Sequence, residues 1–162
     1  KITQEELVER IDFADCDLEK QVKSLFLEGI LTEDSEIIEN LIYVLLLWKE
    51  RGGTKEKDSF LDKFVSELNT LLVCRWHEQH ENITMLLQMI KSDSSIDYLY
   101  DAINLKPQYL SWDEYLTFEV KCIWAIGVIG TSKAIEKLQI LSNHENEIVN
   151  FNAMRQLQRL QK

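Results

Sequence analysis

The segment Trp76-His77-Glu78-Gln79-His80-Glu81 carries two of the chain's three histidines, and it is the first place where chemistry could sit. A zinc-protease helix needs His-Glu-x-x-His, which sets two imidazoles four residues apart on one helical face. Here the histidines are three apart, so that geometry fails and the role of the glutamate fails with it. His144 is remote in sequence. The segment therefore reads as a polar helix junction, and no metal site is expected. Gly127 and Gly130 complete neither a dinucleotide-binding nor a phosphate-loop pattern. Gly127 is expected to admit a neighbouring helix and Gly130 to end its own. No nucleophile elbow and no recognisable cysteine or serine nucleophile is present. Paired carboxylates say little in so acidic a chain. No catalytic residue and no cofactor is assigned.

The run that invites binding rather than catalysis is Pro107-Gln108-Tyr109-Leu110-Ser111-Trp112-Asp113-Glu114-Tyr115. Tyrosine and tryptophan offer large, stiff contact surfaces and are enriched at binding hot spots. The neighbouring acids complement Lys or Arg on a partner. Tyr109, Trp112, Asp113, Glu114 and Tyr115 are taken as candidate partner-binding residues, with Tyr98, Tyr100, Asp101, His77 and His80 on the adjoining surface. The opposing reading is that Trp112 and Tyr115 close the core beneath the loop.

These residues need a scaffold, and its periodicity is helical throughout. Thr3 and Glu6 form a capping box ahead of Leu7 and Ile11. Leu18, Val22, Leu25 and Phe26 share one face of a second helix that Gly29 is expected to end. Asp34 or Ser35 caps a helix through Ile37, Ile38, Leu41, Val44, Leu45 and Trp48, stopped by Gly52-Gly53. Asp58 or Ser59 caps the next, from Phe60 to Leu72. Ile83 to Ile90 and Ile96 to Ile103 fit two helices about an Asp93-Ser94-Ser95 turn. Pro107 breaks the chain. Asp113 opens a long helix that Gly130 closes; Ser132 opens a short one, and a last helix starts near Glu145.

Sliding the sequence by 39 positions lays Leu86-Leu87-Gln88-Met89-Ile90 on Ala125-Ile126-Gly127-Val128-Ile129. The next helix follows in register, Ile96 on Ile135 and Leu99 on Leu138. Helix pairs recurring at such a period stack into solenoids, because one pair cannot bury its apolar face alone. The chain thus reads as one all-α domain of HEAT-like helical hairpins in a short curved solenoid. Residues 1–72 form divergent hairpins, 80–104 and 113–142 form two repeats, and 145–161 form a terminal cap.

The 162 residues suffice to bury a core without disulfides, and one proline and five glycines leave few turns for an all-β fold. The net charge is −10, and residues 1–50 hold 13 acidic against 5 basic side chains. Phosphate backbones are repelled, so nucleic-acid binding is not expected; a basic partner is favoured. Cys16, Cys74 and Cys122 form no CxxC pair, and the last two sit in apolar runs, so buried, reduced thiols and a reducing compartment are expected. Lys1-Ile2-Thr3 does not read as a secretory leader. The longest apolar run, Leu41 to Trp48, is too short to span a bilayer.

Three stretches carry a resemblance: Trp76-His77-Glu78-Gln79-His80-Glu81-Asn82-Ile83, then Tyr109-Leu110-Ser111-Trp112-Asp113, then Lys121-Cys122-Ile123-Trp124-Ala125-Ile126-Gly127-Val128-Ile129-Gly130-Thr131. Over residues 70–160 the chain resembles small bacterial HEAT-repeat proteins, many of them similar to immunity proteins of polymorphic or contact-dependent toxin systems. The first seventy residues share no such likeness. The resemblance implies a cytoplasmic, non-catalytic protein that covers the active surface of a basic toxin domain, such as a nuclease, as a monomer in a one-to-one complex. An adaptor or scaffold using the same surface is the alternative. A helical-repeat enzyme such as a DNA glycosylase would need a basic concave surface, which the charge opposes.

Overall fold

A computed structural model describes residues 18–51 and 60–161. The Thr3–Glu6 capping box, Cys16 and the Asp58 and Ser59 caps lie outside the described residues. Within them the chain forms eight α-helices and no strand: α1 (Leu18–Thr32), α2 (Ser35–Arg51), α3 (Val65–Leu72), α4 (His80–Ile90), α5 (Ile96–Ala102), α6 (Thr117–Ile129), α7 (Ser132–Leu141) and α8 (Glu147–Leu160). Single 3₁₀ turns precede α3 and α5, and a third, Gln108–Leu110, lies in the loop before α6.

The apolar stripes read from the sequence for α1, α2 and α4 turn inward. Val22, Leu25 and Phe26 of α1 are buried, as are Ile37, Ile38, Leu41 and Leu45 of α2 and Ile83, Leu86 and Leu87 of α4. Phe26 meets Phe64 with ring centres 5.9 Å apart. Helix α6 is apolar nearly all round, which marks a helix enclosed by others. It touches α4, α5, α7 and α8. Among the described residues the substantial helix contacts join only helices one or two places apart in this numbering, so α1, α3, α5 and α7 form one row and α2, α4, α6 and α8 a second.

The 39-residue shift lands on matching structure. Helix α4 ends at Ile90 and α6 at Ile129, and each is closed by a left-handed residue, Lys91 (φ 60°) and Gly130 (φ 68°). The 3₁₀ turn and α5 together span 93–102, and α7 spans 132–141. Thr131 caps α7 by accepting from the Ala134 amide, and its hydroxyl donates to Asp93 at the equivalent turn (2.5 Å), tying the two segments together. Lys91 holds a conformation that glycine adopts without strain. Lys91→Gly is expected to stabilise the fold by about 1 kcal/mol, read as a higher urea midpoint at unchanged slope.

Several local expectations are corrected. Gly29 does not end α1, which runs on to Thr32. A Cβ there would lie 2.7 Å from Ile38 Cδ1, so the glycine serves the close crossing of α1 and α2 instead. Asp113 does not open α6: Leu116 is left-handed (φ 52°) and the helix starts at Thr117, though the Asp113 carboxylate still accepts the Thr117 amide at 2.7 Å. The last helix begins at Glu147, capped by Asn146, whose side chain accepts the Ile148 and Val149 amides. Asp34 is the cap of α2, accepting from the amides of Glu36 and Ile37. Cys122 is buried as expected, but Cys74 is only half-buried; both are free thiols.

Candidate protein-interaction surface

The loop between α5 and α6 is bracketed by two non-glycine residues at positive φ, Lys106 (47°) and Leu116 (52°). Such residues cost free energy and persist where the surroundings hold them. Inside the bracket, the amides of Leu110, Ser111 and Asp113 donate to the carbonyls of Pro107, Gln108 and Leu110. The Trp112 indole donates to the Tyr109 carbonyl at 2.8 Å, and the Asp113 carboxylate accepts from the Tyr115 amide at 2.9 Å. The Thr117 bonds, foremost, hold the Asp113 carboxyl below its ordinary range. Asp113 is thus occupied in shaping the loop.

That frame turns two aromatics outward. Trp112 is 76% exposed and Tyr115 80% exposed, with Glu114 exposed between them. They do not close the core. Tyr109 faces the other way: its hydroxyl lies 3.3 Å from His80 Nδ1 and its ring is 5.7 Å from the imidazole. Burial, and then the nearby Glu81 carboxylate, push its hydroxyl up to about 12.

His77 and His80 are interior residues, off the surface they were expected to share. Both are buried, their rings stacked at 4.5 Å. His77 Nε2 donates to the Leu71 carbonyl at 2.8 Å, and Nδ1 accepts from the Gln79 amide. His80 Nε2 donates to the Cys74 carbonyl at 2.7 Å, which leaves Nδ1 to accept from Tyr109. The end of a helix leaves carbonyls without intrahelical donors. At and just beyond that end each histidine adds a donor from six residues downstream, His77 to the Leu71 carbonyl, which also accepts the Cys74 amide, and His80 to the Cys74 carbonyl in the turn after α3, pinning the start of α4 to the end of α3. Burial holds both below the ordinary histidine range, His80 at about 4, so both are neutral near pH 7.

Of the remaining expected residues, Tyr98 and Asp101 are exposed on α5. Tyr100 faces α7, where the Lys137 ammonium sits 4.4 Å from its ring centre. Trp76 packs partly buried against the core.

The sequence reading missed the outward face of the second row. Extending the 39-residue register back to α2 aligns Tyr43, Asn82 and Lys121, all exposed, and Leu46, Met85 and Trp124 beside them. Glu39, Asn40, Tyr43, Leu46, Gln79 and Asn82 line a groove of about 320 Å³. Lys121 pairs with Glu81 at 2.7 Å, and the Trp124 indole donates to Asn152 at 3.1 Å, carrying the face from α4 through α6 to α8. Its α2 end is acidic, with Glu36 and Glu39; its α8 end carries Arg155 and Arg159. The signal was the same 39-residue register, followed on exposed instead of buried positions.

Among the described residues, no group of three His, Cys, Asp or Glu side chains is placed to hold a metal ion, and no helix is long and apolar enough to cross a membrane. Comparison with protein-family models, curated proteins and solved structures finds no match.

Proposed function

We propose that this chain is a protein-binding helical-repeat module that captures a basic protein domain and neutralises it by occupying its surface, as an immunity protein does its cognate toxin. The observation that carries the reading is the loop before α6, which holds Trp112 and Tyr115 at 76% and 80% exposure on a hydrogen-bonded frame. A stiff, exposed pair of aromatics loses little side-chain entropy on binding and excludes water from the contact. Glu114 beside them, and the excess of acid in the whole chain, steer a cationic partner onto the loop. The matched ends of α4 and α6, the matched 93–102 and 132–141 segments, and contacts confined to near neighbours support HEAT-like stacking. The toxin class of the partner and action in the cytoplasm of the producing cell rest on the likeness of residues 70–160 to immunity proteins.

The test is co-expression with the product of the adjoining reading frame, followed by purification and a growth assay. The expected result is a tight one-to-one complex and rescued growth. Trp112→Ala is expected to weaken the complex by about 2 kcal/mol, roughly thirtyfold, with Tyr115→Ala in the same direction. Tyr115→Ala should keep the wild-type urea midpoint, and Trp112→Ala should lose at most about 1 kcal/mol for its exposed bond to the Tyr109 carbonyl, since neither ring is buried. No complex and no protection overturn the reading, and several weak partners from lysate select the adaptor alternative. Full binding by a folded Trp112→Ala, Tyr115→Ala double variant removes the loop from the interface.

A further inference from the structure

The α8 end of the second row has a property that the loop does not share. The Arg155 guanidinium lies 5.9 Å from the Trp124 ring centre and 5.7 Å from that of Phe151, and the Arg159 guanidinium lies 5.4 Å from Trp124. Trp124 is itself held by its bond to Asn152. Aromatic stacking orients a guanidinium and leaves its N–H donors for a planar acceptor. Phe151 is 58% exposed and Met154 46% exposed beside them. Among the described residues no carboxylate pairs with either arginine; Arg159 donates only to the Gln156 amide oxygen. By contrast Lys23, Lys63, Lys121, Lys133 and Lys137 are all matched to carboxylates within the chain.

The complementary surface lies on the same molecule, at the other end of the row. Glu33, Glu36 and Glu39 line an open groove of about 560 Å³ at the α1–α2 turn and have no cationic partner among the described residues. Glu39 also borders the adjoining groove with Tyr43, itself 46% exposed. Glu36 and Glu39 are one helical turn apart on α2, and Arg155 and Arg159 one turn apart on α8, so the two pairs match in spacing. The patches lie on α2 and α8, which no substantial contact joins among the described residues.

We propose that the chain self-associates head to tail, the Arg155–Arg159 ridge of α8 in one copy seating on the Glu36–Glu39 edge of α2 in the next. The contact is heterologous, so it extends from copy to copy. It is built on exposed ion pairs with a small apolar centre, so it is weak, dependent on concentration and screened by salt. It uses no residue of the Trp112–Tyr115 loop and stands independently of the partner proposed for that loop.

The test is sedimentation equilibrium of the purified chain from low micromolar to submillimolar concentration, at low and at high salt. At low salt the average mass is expected at least to double across the range, and at high salt to stay at the single-chain value. The double variants Arg155→Glu, Arg159→Glu and Glu36→Arg, Glu39→Arg should each stay single when alone, with unchanged helical circular dichroism. Mixing the two should restore association, because the first keeps the acidic edge and the second the basic ridge. A single-chain mass for the wild type at every concentration overturns the proposal and leaves the ridge to an acidic partner of another kind. Association of the arginine variant as strong as that of the wild type overturns it equally.

Discussion

Acidification from pH 6.5 to about pH 4 is expected to remove about 3 kcal/mol of folding stability through His80 alone. In the folded chain burial keeps this imidazole from accepting a proton until about pH 4, against 6.5 for a free side chain. The bond it donates to the Cys74 carbonyl works in the opposite sense, and neighbouring His77 and Arg75 add to the effect of burial. Between the two values the unfolded chain binds more protons than the folded one, so stability falls as pH falls. The contribution is complete above pH 6.5 and exhausted below pH 4. Each pH unit in that window costs about 1.4 kcal/mol, which sets the total. His77 is held low by burial as well and acts in the same direction. The measurement is urea unfolding at pH 7 and at pH 4.5, for the wild type and for His80→Gln. The variant should be less stable at neutral pH and should lose less on acidification. Equal pH slopes for the two proteins would show that His80 titrates in the folded chain as it does in water. Because His80 also meets the hydroxyl of Tyr109, acid should loosen the base of the Trp112–Tyr115 loop before the helices separate.

Gly127→Val is expected to destabilise the chain by about 3 kcal/mol, at the upper end of what overpacking a core costs. A Cβ at this position would lie 2.5 Å from Gln156 Oε1, 2.8 Å from its Cγ and 2.9 Å from its Cβ. The amide end could swing aside, but the Cβ moves only if α8 moves. Gln156 is buried, and its oxygen accepts from Arg159, so displacement also breaks that bond. Gly127→Ala meets the same atoms with a smaller side chain and gains helix propensity, so a milder loss of about 1 kcal/mol follows. Chemical unfolding separates the cases, with hydrogen exchange in 147–160 as the local readout. An unchanged midpoint for Gly127→Val would mean that α8 does not pack on α6 as described.

Much of this molecule was legible in local pattern. The stripes Val22–Leu25–Phe26, Ile37–Ile38–Leu41 and Ile83–Leu86–Leu87 predicted buried helix faces, and all of them are buried, because period 3.6 leaves no other way to shield these side chains from water. Gly130 as a stop and Gly127 as a point of close approach were also readable, since few environments favour glycine inside an apolar helix. Gly29 was misread because a stop and a close crossing leave the same mark. The histidines were misplaced for a different reason. Polarity predicts exposure unless a partner is known, and their partners are the Leu71 and Cys74 carbonyls at and just beyond the end of α3, a boundary that the residues themselves do not announce.

The amino-acid sequence by itself determined that the chain is helical and that its acid is concentrated toward the first fifty residues; both are properties of neighbours along the chain. Only the tertiary structure decided which polar and aromatic residues face water. Trp112 and Tyr115 stand outward because two positive-φ residues and the Asp113 carboxylate set the course of the backbone, while Tyr109, three residues before Trp112, turns inward to His80. The face running from Glu39 to Arg155 exists only once α2, α4, α6 and α8 are laid side by side. Residues 39 apart become neighbours through packing, and no local rule carries that information.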